Sequence, residues 1–195
     1  MGDNRNRYLM KNTIIFTLGN FGSKLISFFL IPLYTNVLTT TEYGVVDLVV
    51  TVGTVAVPVL TLNISESVMR FALDKDADKQ KITQIGTGVL LIGMLVGLFI
   101  FPICRSFDKI SQYSVLVYLY VIALAASQMY LCDLRGKELL VYYSIGNVLN
   151  TLFIAGFNIL FLLVFKDGIR GYLKAYIIAN ALTAIYAIII GKGYK

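Results

Sequence analysis

Histidine is absent from the 195 residues, and cysteine and proline are scarce, at two and three. Without histidine there is no imidazole metal ligand, no histidine proton relay and no Ser-His-Asp triad. The two cysteines, Cys104 and Cys132, stand at the ends of apolar segments in no metal-ligand spacing, so each reads as a small buried hydrophobe rather than a disulfide partner. There is no Walker loop, no GxGxxG, and no acidic pair on an outer loop where a sugar donor could be processed. Connections on the outer side are too short to hold a catalytic domain. The sequence therefore offers no enzyme site, no metal site and no cofactor site.

What is present is apolar surface. Hydrophobic residues make up 57 % and charged residues 14 %, with a mean hydropathy of +0.76. Several runs of 20 or more apolar residues make this an integral membrane protein. The runs lack the ten-residue alternation of barrel strands, so the fold class is all-α and polytopic. Six transmembrane helices are expected, at about 11–38, 42–73, 82–104, 112–133, 137–165 and 170–191. Pro32 should kink the first, because proline removes a backbone donor and crowds the preceding turn. The end of the second, from Ile64 to Leu73, should emerge into the interface, followed by the charged run Asp74–Lys81. Gly93 and Gly97 give the third a GxxxG spacing suited to close packing. Short connections predict that sequential helices pack as antiparallel neighbours.

Charge sets the orientation. With a cytoplasmic N-terminus, inside segments hold eleven lysines and arginines and outside ends hold five, as the positive-inside rule requires. Both termini are expected in the cytoplasm. The first apolar run is about twice the length of a secretory h-region, so it does not read as a cleaved signal. The net charge of +6 reflects these loops and does not point to nucleic acid.

The seventeenth cation is Lys24, near the middle of the stretch from Asn12 to Leu38. An ammonium at that depth costs roughly 2.5–3.5 kcal/mol on insertion scales, so it should face protein or water rather than lipid. Thr13, Thr17, Asn20, Lys24, Ser27 and Thr35 recur every three or four residues, with one gap at Ile31, and form one stripe at helical spacing. Lys24 either lines a path for an anionic substrate or pairs with a buried carboxylate. Other stripes follow: Asp47, Thr51, Thr54, Thr61 and Ser65 in the second helix; Tyr143, Ser144, Asn147, Thr151 and Asn158, with Asn150 at the edge, in the fifth; Tyr176, Asn180 and Thr183 in the sixth. Such stripes serve interhelical hydrogen bonds or a shared hydrated cavity. Near the end of the second helix, Glu66 and Arg70 are four apart and can pair.

The segment FGSKLISFFLIPLYTNVLTTTEYGVVDL, Phe21 to Leu48, resembles the opening of the polysaccharide transporter family, the lipid-linked oligosaccharide flippases of the multidrug/oligosaccharidyl-lipid/polysaccharide exporter superfamily. The likeness rests on a basic residue before an aromatic-rich run, on Pro32-Leu33-Tyr34-Thr35, and on Glu42-Tyr43-Gly44. Glu66-Ser67-Val68-Met69-Arg70-Phe71 is similar to the family's glutamate-and-arginine segment. The resemblance implies one six-helix lobe, residues 1–195, of a two-lobe flippase-type fold, with the C-terminal lobe absent. It implies a plasma-membrane translocase that moves a polyprenyl-pyrophosphate-linked oligosaccharide for polysaccharide biosynthesis. Implied substrate-binding residues are Lys24, Asn20, Thr17, Ser27, Asp47, Arg70, Glu66, Asn147 and Asn150. Implied partners are the lipid-linked oligosaccharide, the bilayer, a second six-helix lobe or another copy, and polysaccharide polymerase machinery. Two alternatives stand beside this reading: a cation-coupled small-molecule exporter using Asp47, and a non-transporting scaffold for envelope assembly.

Overall fold

The computed structural model describes residues 2–74, 76–104 and 111–193, with side chains described at residue 17 and over 21–74, 76–99 and 111–193. All regular structure among these residues is helical. The order is α1 (Gly2–Val37), α2 (Thr40–Leu60), α3 (Ile64–Ala72), α4 (Lys79–Cys104), α5 (Ser114–Gly136), α6 (Leu140–Asn158) and α7 (Gly168–Lys192), with α6 prolonged by a π-helical stretch, Ile159–Val164. Five segments are long and apolar enough to cross a membrane: Thr40–Leu60, Lys79–Phe99, Ser114–Gly136, Leu140–Val164 and Gly168–Lys192. The protein is membrane-embedded. The five, against the expected six, are counted over the described residues, and α1, whose side chains are described only at residue 17 and from residue 21 onward, is not among them.

Local chemistry explains the boundaries. The Thr39 hydroxyl accepts from the Glu42 N–H at 3.3 Å, and Glu42 Oε2 accepts from the Thr39 N–H at 2.9 Å, so a capping box opens α2. Asp78 Oδ1 accepts from the Lys81 N–H at 3.1 Å at the start of α4, and that bond holds the Asp78 carboxyl below its usual range. The expected continuous helix 42–73 is broken. Leu62 and Asn63 take φ of 50° and 52°, the left-handed conformation that ends helices and that asparagine tolerates. The Asn63 N–H donates to the Pro58 carbonyl at 2.9 Å across the break. α3 restarts as a separate nine-residue helix.

Packing centres on α5 and α7, which lie against each other, while α2, α3, α4 and α6 also contact α5. The expectation that sequential helices are neighbours fails at the first pair: α1 packs along α6 and scarcely touches α2. Small residues line the α5–α7 seam, with Ala125, Ala175 and Ala179 all buried. The Ser127 hydroxyl donates to Asn180 Oδ1 at 2.8 Å across it. Gly93, of the GxxxG pair, is buried where a Cβ would overlap the Leu60 carbonyl oxygen, so its lack of a side chain lets α4 reach the end of α2. Large apolar side chains point outward instead, Phe99 at 84 % and Phe29 at 71 % exposure, as a lipid-facing surface demands.

The strongest single tie is an ion pair at the end where α4 begins and α5 and α7 finish. Lys137 Nζ donates to Asp133 Oδ2 at 2.6 Å and to the Gly191 carbonyl at 3.3 Å. The Thr83 hydroxyl donates to Asp133 Oδ1. Both charged residues are buried, at 2 % and 5 %. A lone charge left there is destabilising by about 3–5 kcal/mol, whereas an apolar pair of similar volume is tolerated. Asp133→Ala and Lys137→Ala are each expected to lower the unfolding temperature in detergent sharply, and Asp133→Leu with Lys137→Met to restore most of it. Equal losses in the single and double variants would contradict a paired role.

Candidate functional site

Because α1 leans on α6 and α2 leans on α5 and α7, a cleft opens between α1 and α2. Two cavities lie along it. One, of about 410 Å³, is lined by Lys24, Ser27, Phe28, Ile31 and Tyr34 of α1, Tyr43, Val46, Asp47 and Val50 of α2, and Tyr172 and Tyr176 of α7. The other, of about 270 Å³, is lined by Ser23, Lys24 and Ser27 with Asn147, Asn150 and Thr151 of α6. Lys24 and Ser27 belong to both, so the ammonium stands where the two meet.

That ammonium has no carboxylate partner. The ion pairs among the described residues are Lys81–Asp78, Lys137–Asp133 and Lys174–Asp167. Asp47 shares the first cavity with Lys24 without forming a pair. The walls are also under-satisfied. Ser23 Oγ and Asn150 Oδ1 are buried with no hydrogen-bond partner, and both residues line the second cavity. Buried polar atoms are normally bonded, so such a cluster marks a surface prepared for something polar. Other polar groups here are turned to their own helices. The Ser27 hydroxyl donates to the Ser23 carbonyl at 3.0 Å, and the Asn147 amide to the Tyr143 carbonyl at 3.1 Å.

The sequence stripes thus converge in part. Lys24, Ser27, Asp47, Asn147 and Asn150 come together. Thr17 is exposed on α1 outside both cavities, and the Asn20 side chain lies outside the described residues. Glu66 and Arg70 sit on α3, exposed and away from the cleft, and do not pair. Both reach water, where an ion pair is worth little. The stripe of the second helix divides, since Thr51 lines a different, apolar cavity with Val55 and Val121. That of the sixth divides too. Asn180 and Thr183 are buried against α5, and only Tyr176 reaches the cleft.

Sequence reasoning named Tyr176 and Tyr34 but missed Tyr172 and Tyr120, which complete the aromatic floor of the cleft. Tyr172 stacks on Tyr176 at 4.6 Å between ring centroids, and Tyr34 meets Tyr172 edge-on at 5.1 Å. Tyr120 meets Tyr176 from below at 5.9 Å. The available signal was Tyr172 and Tyr176 four apart on one helix face. Together the groups supply one cation and one carboxylate, amide and hydroxyl walls, and an aromatic floor. That suits binding of an amphiphilic anion with hydroxylated parts. No group of three metal-ligating side chains occurs among the described residues.

Residues 9–194 match the model of a protein family described as polysaccharide biosynthesis protein. No curated protein and no solved structure matches the chain at a significant level.

The cleft carries its own test. In a background with Cys104→Ser and Cys132→Ser, a membrane-impermeant thiol reagent is expected to label Lys24→Cys, Ser27→Cys and Asn147→Cys. Phe29→Cys, on the outward face of α1, is expected to stay unlabelled. The reverse pattern would place the stripe toward lipid.

Proposed function

We propose a function on the premise that this match provides: the chain belongs to the polysaccharide biosynthesis protein family. Its role in that setting is not enzymatic. It is a translocase lobe that carries a polyprenyl-pyrophosphate-linked oligosaccharide from the inner to the outer leaflet of the cytoplasmic membrane. The observation that carries this reading is the unpaired Lys24 at the junction of two cavities.

The physical demand is charge. A pyrophosphate in hydrocarbon faces a desolvation penalty of many kcal/mol. One ammonium about 4 Å from a phosphate charge contributes about 4 kcal/mol at an effective dielectric of 20, against about 1 in water. Lys24 is exposed at the open cleft and supplies that once a second lobe or another copy covers it. The amide and hydroxyl wall of Asn147, Asn150, Thr151 and Ser23 suits sugar hydroxyls. The isoprenoid tail stays in the bilayer beside the outward faces of α1 and α2. On this reading α1 is a sixth crossing, both termini are cytoplasmic, and a second lobe or another copy closes the open side of the cleft. Movement is alternating access by rocking of the two halves, and Arg70 attracts the anion at the cytoplasmic mouth.

A second reading draws on Asp47, which lines the same cavity as Lys24. There the carboxylate binds a coupling cation and the cargo is a small cation. An ammonium in the same cavity opposes that cargo.

In complementation of a flippase-deficient strain with the full two-lobe protein, Lys24→Ala is expected to abolish export at normal membrane abundance, and Lys24→Arg to keep substantial activity. Normal export by Lys24→Ala would end the substrate-binding role. Loss of abundance that Asp47→Ala reverses would make Lys24 a structural partner instead. Orientation is checked separately: a cysteine at position 78 should react only from the cytoplasmic side and one at position 168 only from outside.

A further inference from the structure

α4 and α7 both rest on α5 and leave a groove of about 660 Å³ between them, on a different part of the bundle from the α1–α2 cleft. Its wall is graded along the axis of α4. At the end where α4 begins and α7 finishes stand Gln80, Gln84 and Lys192. Deeper in, the wall becomes Gly88, Leu91 and Ile188. Gln80, Gln84 and Lys192 are exposed, and Leu91 is 57 % exposed, so the groove is open to its surroundings.

The floor is polar for most of that depth. The Asp133–Lys137 pair with Thr83 lies at the shallow end, and the Tyr130 hydroxyl meets the Thr87 hydroxyl at 3.2 Å further in. From Gln80 to Thr87 the polar wall runs about 10 Å at the α-helical rise. The headgroup zone of one leaflet is only about 5–7 Å thick. An acyl chain against this wall would leave amides and hydroxyls facing hydrocarbon, which is costly. A headgroup seated below its neighbours satisfies them. Lys192 has no carboxylate partner among the described residues. The Asp133–Lys137 charges cancel, and Asp78 at the start of α4 is paired with Lys81, which leaves Lys192 as the uncompensated charge of the groove.

We propose that this groove binds one anionic phospholipid of the surrounding bilayer, its phosphate at Lys192, Gln80 and Gln84 and one acyl chain along Leu91 and Ile188. The occupant is a lipid and not a free phosphate because the apolar floor continues directly from the polar one, and an inorganic anion would leave Leu91 and Ile188 uncovered. The binding is independent of the transport cargo.

The test uses the purified chain and native mass spectrometry in detergent, with phosphatidylglycerol and phosphatidylcholine of identical chains, and inorganic phosphate as a competitor. The unmodified chain is expected to retain one phosphatidylglycerol and to hold phosphatidylcholine several-fold more weakly. Phosphate alone is expected not to displace the lipid. Lys192→Ala with Gln84→Ala should weaken phosphatidylglycerol by about fivefold, the weight of one lysine at an anionic lipid surface. Arg170→Ala, which removes the same charge from the other end of α7, should leave retention unchanged. Equal retention of the two lipids by the unmodified chain would overturn the proposal whatever the variants do. So would displacement by phosphate, or full retention in the double variant.

Discussion

The contact between α5 and α7 is what the bundle cannot do without. In lipid there is no hydrophobic drive to bring two apolar helices together, so association depends on close packing and on polar bonds between them. Here alanines let the backbones approach, Ser127 and Asn180 bond across the middle, and the Asp133–Lys137–Gly191 set closes one end. Gly191 matters to that closure because its missing side chain leaves room for both charged groups. α2, α3 and α4 are then laid on α5, and α6 on α7. The remaining helix, α1, is held to this frame mainly through α6, with Tyr34 reaching Tyr172 of α7 directly.

From that order of attachment the cleft follows. α1 and α2 are consecutive in the chain, yet each belongs to a different side of the frame. The space beside α1 keeps polar atoms that ordinary helix packing would have paired: Ser23 and Asn150 lack partners there, while Asn180 and Thr183, within two turns of Tyr176, are bonded within the bundle. Lys24 sits on the unpaired side of that contrast. Phe28, Ile31 and Val46 line the same cavity.

Much of this was legible beforehand. Composition and apolar run length were enough for the all-helical membrane class, and the spacing of Lys24, Ser27, Asn147 and Asn150 pointed to one face on each helix. Three things were hidden. The break at Leu62–Asn63 depends on two residues taking left-handed backbone, and leucine gives no sign of that. Which polar stripes face a cavity and which face a neighbour depends on helix rotation in the bundle, so Asn180 and Asn150 look alike in sequence and end up in opposite roles. The separation of α1 from α2 is a matter of tertiary partners, and a two-residue connection argues the other way.

That separation also says where the molecule is soft. A helical assembly deforms along the path that breaks the fewest contacts. Parting α5 from α7 would tear out a buried ion pair and a run of interlocked alanines. Parting α1 from α2 disturbs almost nothing, since the two are joined by a tight capped corner at Leu38–Thr39 and little else. Compliance is therefore concentrated in the seam between α1 and α2, against a stiff frame that includes α6. Lys24 stands in that seam, at the most yielding place in the protein.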